Sequence, residues 1–123
     1  MVLGFKRQFA PFVEDGTKTH TVRPGNRWKV GMRADCWGDH RKPTTWLIGR
    51  FEVVKVDTID ITAGDSVPLR VSINGERLQL WDVEALLWHD GFREPGQGSS
   101  KQAAAFWRGK LPLHGQLIHW RHE

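Results

Sequence analysis

The chain has 123 residues, 39% of them hydrophobic, with one cysteine and a formal net charge of +4. That length is one domain's worth and buries an ordinary core without staples, which excludes a disordered chain and a disulfide-built miniprotein. The positive charge is uneven: residues 1–50 hold ten Lys/Arg against four Asp/Glu, whereas residues 51–123 hold eight against ten.

The chain opens with a short apolar segment, Val2 to Phe5, read as a strand. Phe5, Phe9 and Phe12 recur at helical spacing, and Pro11 is acceptable in a first turn. A short helix is therefore expected near residues 8–15, with Gly16 as its C-terminal cap. Thr19 to Arg23 reads as a strand, Pro24-Gly25-Asn26 as a turn, and Arg33 to Trp37 as the next strand. Asp39 to Pro43 is a polar loop. Trp46 to Val56 is a long strand with Gly49 as a bend or bulge, and Asp57 to Asp65 reads as a connection. Asn74-Gly75, between Arg70–Ile73 and Arg77–Leu80, is the strongest hairpin signal in the chain. A helix opens at Trp81-Asp82, with Asp82 as its N-cap, and runs to about Trp88 before Gly91. Ser99 or Ser100 caps a further helix through Phe106-Trp107. Gly115 to Trp120 is the closing strand. About six short strands with hairpin turns and three short helices, without repeat or linker, predict an α+β domain dominated by a mixed β-barrel.

Seven Trp without a Tyr either fill a small barrel or stand partly at a binding surface, and core is the expectation for any single one. Cys36 lies in a predicted strand, as a buried inert thiol. A lone cysteine, the lack of a charged-then-apolar leader and the lack of a long apolar run predict a cytoplasmic protein outside the membrane. His119-x-x-His122 points to opposite faces of a strand without a third ligand at motif spacing, so neither a metal nor another cofactor is expected. No dinucleotide or phosphate-loop fingerprint is present.

The most informative stretch is Gly16-Thr17-Lys18-Thr19-His20-Thr21-Val22-Arg23. Strand alternation puts Thr19, Thr21 and Arg23 on one face and His20 and Val22 on the other, with Lys18 at the mouth. Two hydroxyls, a guanidinium fork and an ammonium suit a phosphate, a carboxylate or the polar edge of a base. The alternative is a hairpin edge with solvated polar groups. Arg41-Lys42 with Trp46 forms either a basic, aromatic lip for a nucleic-acid strand or an exposed loop beside a core Trp.

The string Gly16-x-Lys18-Thr19-x-Thr21-x-Arg23, following Phe5-Lys6-x-x-Phe9-x-x-Phe12, resembles the opening signature of ASCH domains, relatives of the PUA-like RNA-binding barrels. The resemblance continues through Val30-Gly31, Gly49–Val56, Asp90-Gly91-Phe92 and Gln116–Trp120, and so covers nearly the whole chain. It is similar to small ASCH proteins of bacteria and phages. The resemblance implies a PUA-like barrel with a cleft between the barrel and its helices that holds RNA or a nucleoside. The expected ligand-binding residues are Thr19, Arg23 and Lys6, with Arg41 and Trp46 from the basic, aromatic lip, and the expected partner is RNA, single-stranded nucleic acid or a nucleoside. One branch of the family hydrolyses the acetyl group of N4-acetylcytidine with a Lys, a Thr and a Glu. It implies Lys18 and Thr21 in two of those places and Asp90, one methylene shorter, in the third. The expectations are thus a nucleoside- or RNA-binding module, an amidohydrolase, or an accessory protein that contacts another macromolecule. Monomer is the default state.

Overall fold

A computed structural model describes residues 1–122, and His122 by its backbone alone. Seven strands and three helices follow in the order β1 (Val2–Phe5), α1 (Ala10–Glu14), β2 (His20–Pro24), β3 (Arg33–Gly38), β4 (Trp46–Ala63), β5 (Leu69–Ile73), β6 (Glu76–Arg77), α2 (Leu80–Asp90), α3 (Ser99–Phe106) and β7 (Leu113–His122). The architecture is α+β, with all seven strands in one open sheet.

β4 organises that sheet. Its 18 residues carry β7 along one edge, while β3 pairs with its first part and β5 with its last part on the other. β2 extends the sheet beyond β7, β1 lies parallel to β3, and β6 closes a hairpin with β5. Two irregularities bend β4. One leaves Ile48 unpaired opposite the Cys36/Trp37 step, and the other leaves Val54 unpaired between Val53 and Lys55. An extra residue in one strand raises the local twist, so a single long strand can serve two arms of the sheet.

The expected break at Asp57 does not occur. Asp57 to Ala63 continues β4, because Ile59 and Ile61 point into the core while Thr58, Asp60 and Thr62 alternate outward. Period-two alternation outweighs the loop preference of the two aspartates. At the hairpin, Asn74 and Gly75 both have positive φ, 52° and 83°, as a type I′ turn requires. Its second arm is only Glu76–Arg77, and Leu80 already belongs to α2.

Helix ends also differ from expectation. Asp82 lies inside the first turn of α2, and Gln79 is the N-cap without a side-chain bond. Neither Ser99 nor Ser100 caps α3; the cap is Gly98, and the Glu84 carboxylate of α2 accepts the backbone N–H groups of Ser99 at 2.7 Å and Ser100 at 3.2 Å. That carboxylate satisfies two otherwise unpaired donors and meets the positive end of the α3 dipole, which fastens α3 to α2. α2 ends at Gly91, whose φ is 117° and whose missing Cβ leaves room for the Phe9 ring.

The core runs from Leu3 and Phe5 through Phe51, Ile59, Ile61 and Val71 to Leu117 and Ile118. Phe9, Phe92, Phe106 and Trp107 form an aromatic cluster with edge contacts of 5.3–5.6 Å between ring centroids. Of the seven Trp, only Trp28, Trp107 and Trp120 are buried; Trp81 is 70% and Trp88 47% exposed. Cys36 is buried as expected, and burial pushes its thiol up to about 12, so it is protonated and unreactive at neutral pH. No helix is long and apolar enough to cross a membrane among the described residues.

Candidate functional site: a buried lysine-aspartate pair in an aromatic cleft

β1 and β2 lie at two ends of the sheet path and share no ladder. The Arg23 guanidinium of β2 spans the gap, donating from Nη2 to the Gly4 carbonyl of β1 at 2.7 Å. A cleft of about 250 Å³ opens at this seam. Phe5 and Thr21 are strand contributions to its walls, Phe92 and Phe106 come from the helical layer, and Lys18 and Asp90 lie at its inner end, 2% and 5% exposed.

Lys18 precedes β2. Its backbone N–H donates to the Phe12 carbonyl at 2.8 Å, so the chain is still turning there after α1. This turn brings Lys18 and Thr21 to one cleft although they are three residues apart, whereas a regular strand would separate them. Asp90, the last residue of α2, is presented from the opposite wall.

The Lys18 ammonium donates to Asp90 Oδ1 at 2.6 Å, to the Asp90 carbonyl at 2.8 Å and to the His20 carbonyl at 2.8 Å. Three acceptors match the three protons of a charged ammonium. Burial pushes the Lys18 pKa down, outweighing the upward pull of Asp90, and Arg23 and Arg93 push the same way. For Asp90, burial alone raises the carboxyl, but the Lys18 charge and the His20 hydrogen bond outweigh it and hold the group below the ordinary value. The His20 imidazole donates from Nδ1 to Asp90 Oδ1 at 3.1 Å, because an ionised carboxylate only accepts. Behind it, the His20 ring meets that of His119 at 5.7 Å, and His119 Nε2 bonds Asp57 Oδ2 at 3.1 Å.

These shifts fix a sign. Asp90 titrates lower in the fold than in the unfolded chain. Its contribution is therefore fully present above about pH 4 and lost as pH falls through the folded value. Urea unfolding between pH 2 and 6 is expected to show an acid loss of stability in the native chain that is shallower in Asp90→Asn. Equal acid slopes for the two proteins would show that Asp90 is not held ionised by its partners.

Of the sequence-predicted residues, Lys18, Thr21, Arg23, Asp90 and Lys6 line this cleft. Three expectations are corrected. Lys18 is not at the mouth but buried at the inner end, because Asp90 draws it inward. Thr19 lies before β2, is exposed and is not part of the cleft wall, since the strand begins only at His20. Trp46 is turned away: its indole N–H donates to Glu14 at 2.5 Å and its ring fills the space above Gly38. Arg41 is exposed and lines a separate, adjoining hollow.

Sequence reasoning missed His20, Phe92, Phe106 and Trp107. His20 had a usable signal, because the alternation that parts it from Thr21 puts it with Lys18, two residues earlier. The aromatic wall had none, since Phe106 and Trp107 read simply as the apolar face of a helix.

The Thr21 hydroxyl has no protein hydrogen-bond partner among the described residues, and Asp90 Oδ2 is likewise left over when Oδ1 has taken both Lys18 and His20. The cleft therefore combines a hydroxyl, a carboxylate oxygen and aromatic walls, with the Arg23 and Lys6 cations at its rim. Scans against protein-family models, curated proteins and solved structures each returned no match.

Proposed function

We propose that the chain is a PUA-like domain of the ASCH type whose cleft binds a nucleobase or nucleoside, including a modified one, free or within RNA. The observation that carries this reading is the pairing of flat aromatic walls with a small set of polar groups in a space of about 250 Å³. That volume lies just below the range of about 300–1,000 Å³ usual for drug-sized ligands, and it suits a base with its sugar. Aromatic side chains stack on any base, while Thr21, Asp90 and Arg23 offer the mixed donors and acceptors that a base edge needs. The open seven-stranded sheet around the bent β4 is compatible with the proposed barrel architecture.

A second reading, hydrolysis of N4-acetylcytidine, is favoured by the meeting of Lys18, Thr21 and Asp90 in one cleft. In it, Thr21 Oγ1 attacks the acetyl carbon while Lys18 takes the hydroxyl proton. The C–N bond then breaks as that proton reaches the leaving N4, releasing cytidine, and water hydrolyses the acetyl-threonine ester to acetate. Such a base must be a neutral amine with a free lone pair, whereas Lys18 is bonded as a complete ammonium. This bond set is why binding ranks first.

Calorimetric titration with N4-acetylcytidine and cytidine, followed by chromatography of the mixture, tests both readings. Saturable binding that weakens in Arg23→Ala, with the ligand recovered intact, is the expected result. Conversion to cytidine would establish the hydrolase, and no heat and no conversion would remove the cleft's nucleoside reading.

A further inference from the structure

Another hollow, of about 300 Å³, lies where the β5–β6 hairpin runs into α2, and it shares no lining residue with the cleft or with the Arg41 hollow. Leu69 and Val83, each 2% exposed, form its floor. Val67 and Leu78 are its half-buried sides, and Leu80, 48% exposed, stands at its rim. Arg70 and Arg77 also line it, and among the described residues no acid does. Arg70 is only partly used: Nη2 donates to the exposed Asp65 at 3.0 Å, while Nε is buried without a hydrogen-bond partner. Arg77 is exposed and forms no ion pair among the described residues.

The same place carries a free sheet edge. β6 is the last strand in the sheet order and pairs only with β5. The Leu78 N–H turns back to the Val71 carbonyl at 2.9 Å. Gln79 keeps the extended conformation, with φ −74° and ψ 160°, before α2 begins. Successive N–H groups of an extended chain point to opposite sides, so those of Arg77 and Gln79 point away from β5. Neither has an acceptor among the described residues, and both residues are exposed.

We infer that this hollow takes the C-terminal residue of a partner polypeptide. A large apolar side chain rests on Leu69 and Val83, the terminal carboxylate meets Arg70 and Arg77, and the preceding backbone lies along the edge of β6. This is strand addition combined with carboxylate capture. An apolar group and an anion must share about 300 Å³. A chain-terminal apolar residue carries the two on one Cα, and the planar guanidinium fork matches a carboxylate. An internal acidic residue does not fit in the same way. Neighbouring side chains of an extended peptide point to opposite faces, and the next on the same face lies roughly 6.5–7 Å along. A free amino acid would bring its ammonium to two arginines without a lining acid. A fatty acid would leave the outward N–H groups of the edge unused. The site is separate from the cleft, so neither reading stands or falls with the other.

Fluorescence anisotropy with N-terminally labelled peptides of about six residues tests the inference. The set ends in Leu, Ile, Val or Phe with a free carboxylate, beside the same peptides amidated at the C-terminus and one ending in Ser. Saturable binding of an apolar-ended peptide is expected below about 1 mM. Amidation should weaken it about tenfold or more, the scale of a hydrogen bond to a charged group. The peptide ending in Ser should bind more weakly than the apolar-ended ones. Arg77→Glu should weaken binding as much as amidation, with urea unfolding confirming that the variant is folded. The amide comparison uses the unaltered chain and decides the carboxylate whatever that variant does. Failure of all four apolar-ended peptides to saturate, or equal affinity of the amidated forms, would overturn the site. So would a folded Arg77→Glu that binds as tightly. Free leucine that displaces the peptide at equal concentration would overturn the polypeptide partner.

Discussion

Asp90→Ala is expected to destabilise the fold by about 3–5 kcal/mol, the usual cost of removing one partner from a buried ion pair. Lys18 is 2% exposed, and among the described residues Asp90 Oδ1 is the one side-chain hydrogen-bond acceptor of its ammonium. Without the carboxylate, two carbonyls remain to hold a full charge beside the Phe5 and Phe9 rings. His20 loses its Nδ1 acceptor in the same step. Because the deficit comes from an uncompensated charge rather than from lost packing, Lys18→Met in the same chain should restore much of it. Urea unfolding of the two single variants and the double variant measures this. A double variant no more stable than Asp90→Ala would show that Asp90 supports the fold through something other than the Lys18 charge.

The sequence carries the frame of this molecule better than its site. Elements with strong local chemistry are legible: Gly91 at the end of α2, Asn74-Gly75 at the hairpin, and the turn after β2, where Gly25 has a φ of 88°. The far half of β4 is hidden because Asp57 and Asp60 resemble loop residues, and only pairing with β5 and β7 on both edges makes them strand. The cap of α3 is hidden for a related reason, since its carboxylate comes from Glu84 on another helix. The meeting of Lys18, Thr21 and Asp90 is anticipated through the resemblance of the Gly16-to-Arg23 string, not through periodicity, which would have parted Lys18 from Thr21. What no local pattern contains is the closing of the seam by Arg23 and the meeting of β1 with the Asp39 loop at one hollow and with α3 at the adjoining cleft, because these segments come together only through the long-range sheet.

Thr21→Val is expected to separate hydrolase from binder more cleanly than any change at Lys18. Replacing Lys18 removes the counter-charge of a fully buried carboxylate, so lost turnover there would be indistinguishable from a disturbed fold. The Thr21 hydroxyl has no protein partner among the described residues, and valine keeps its branched shape, so stability should change by less than about 1 kcal/mol. If the chain deacetylates N4-acetylcytidine through Thr21, Thr21→Val should lower kcat by about 10³-fold or more, while Thr21→Ser retains a hydroxyl and much of the rate. If the cleft only binds, no cytidine accumulates with any variant. Thr21→Val then costs about one neutral hydrogen bond, roughly 0.5–1.5 kcal/mol, or about two- to twelvefold in Kd. Single-turnover chromatography and calorimetry on the same three proteins decide the matter. Turnover undiminished in Thr21→Val would sink the nucleophile assignment, and unchanged affinity in that variant would remove the hydroxyl from the recognition set as well.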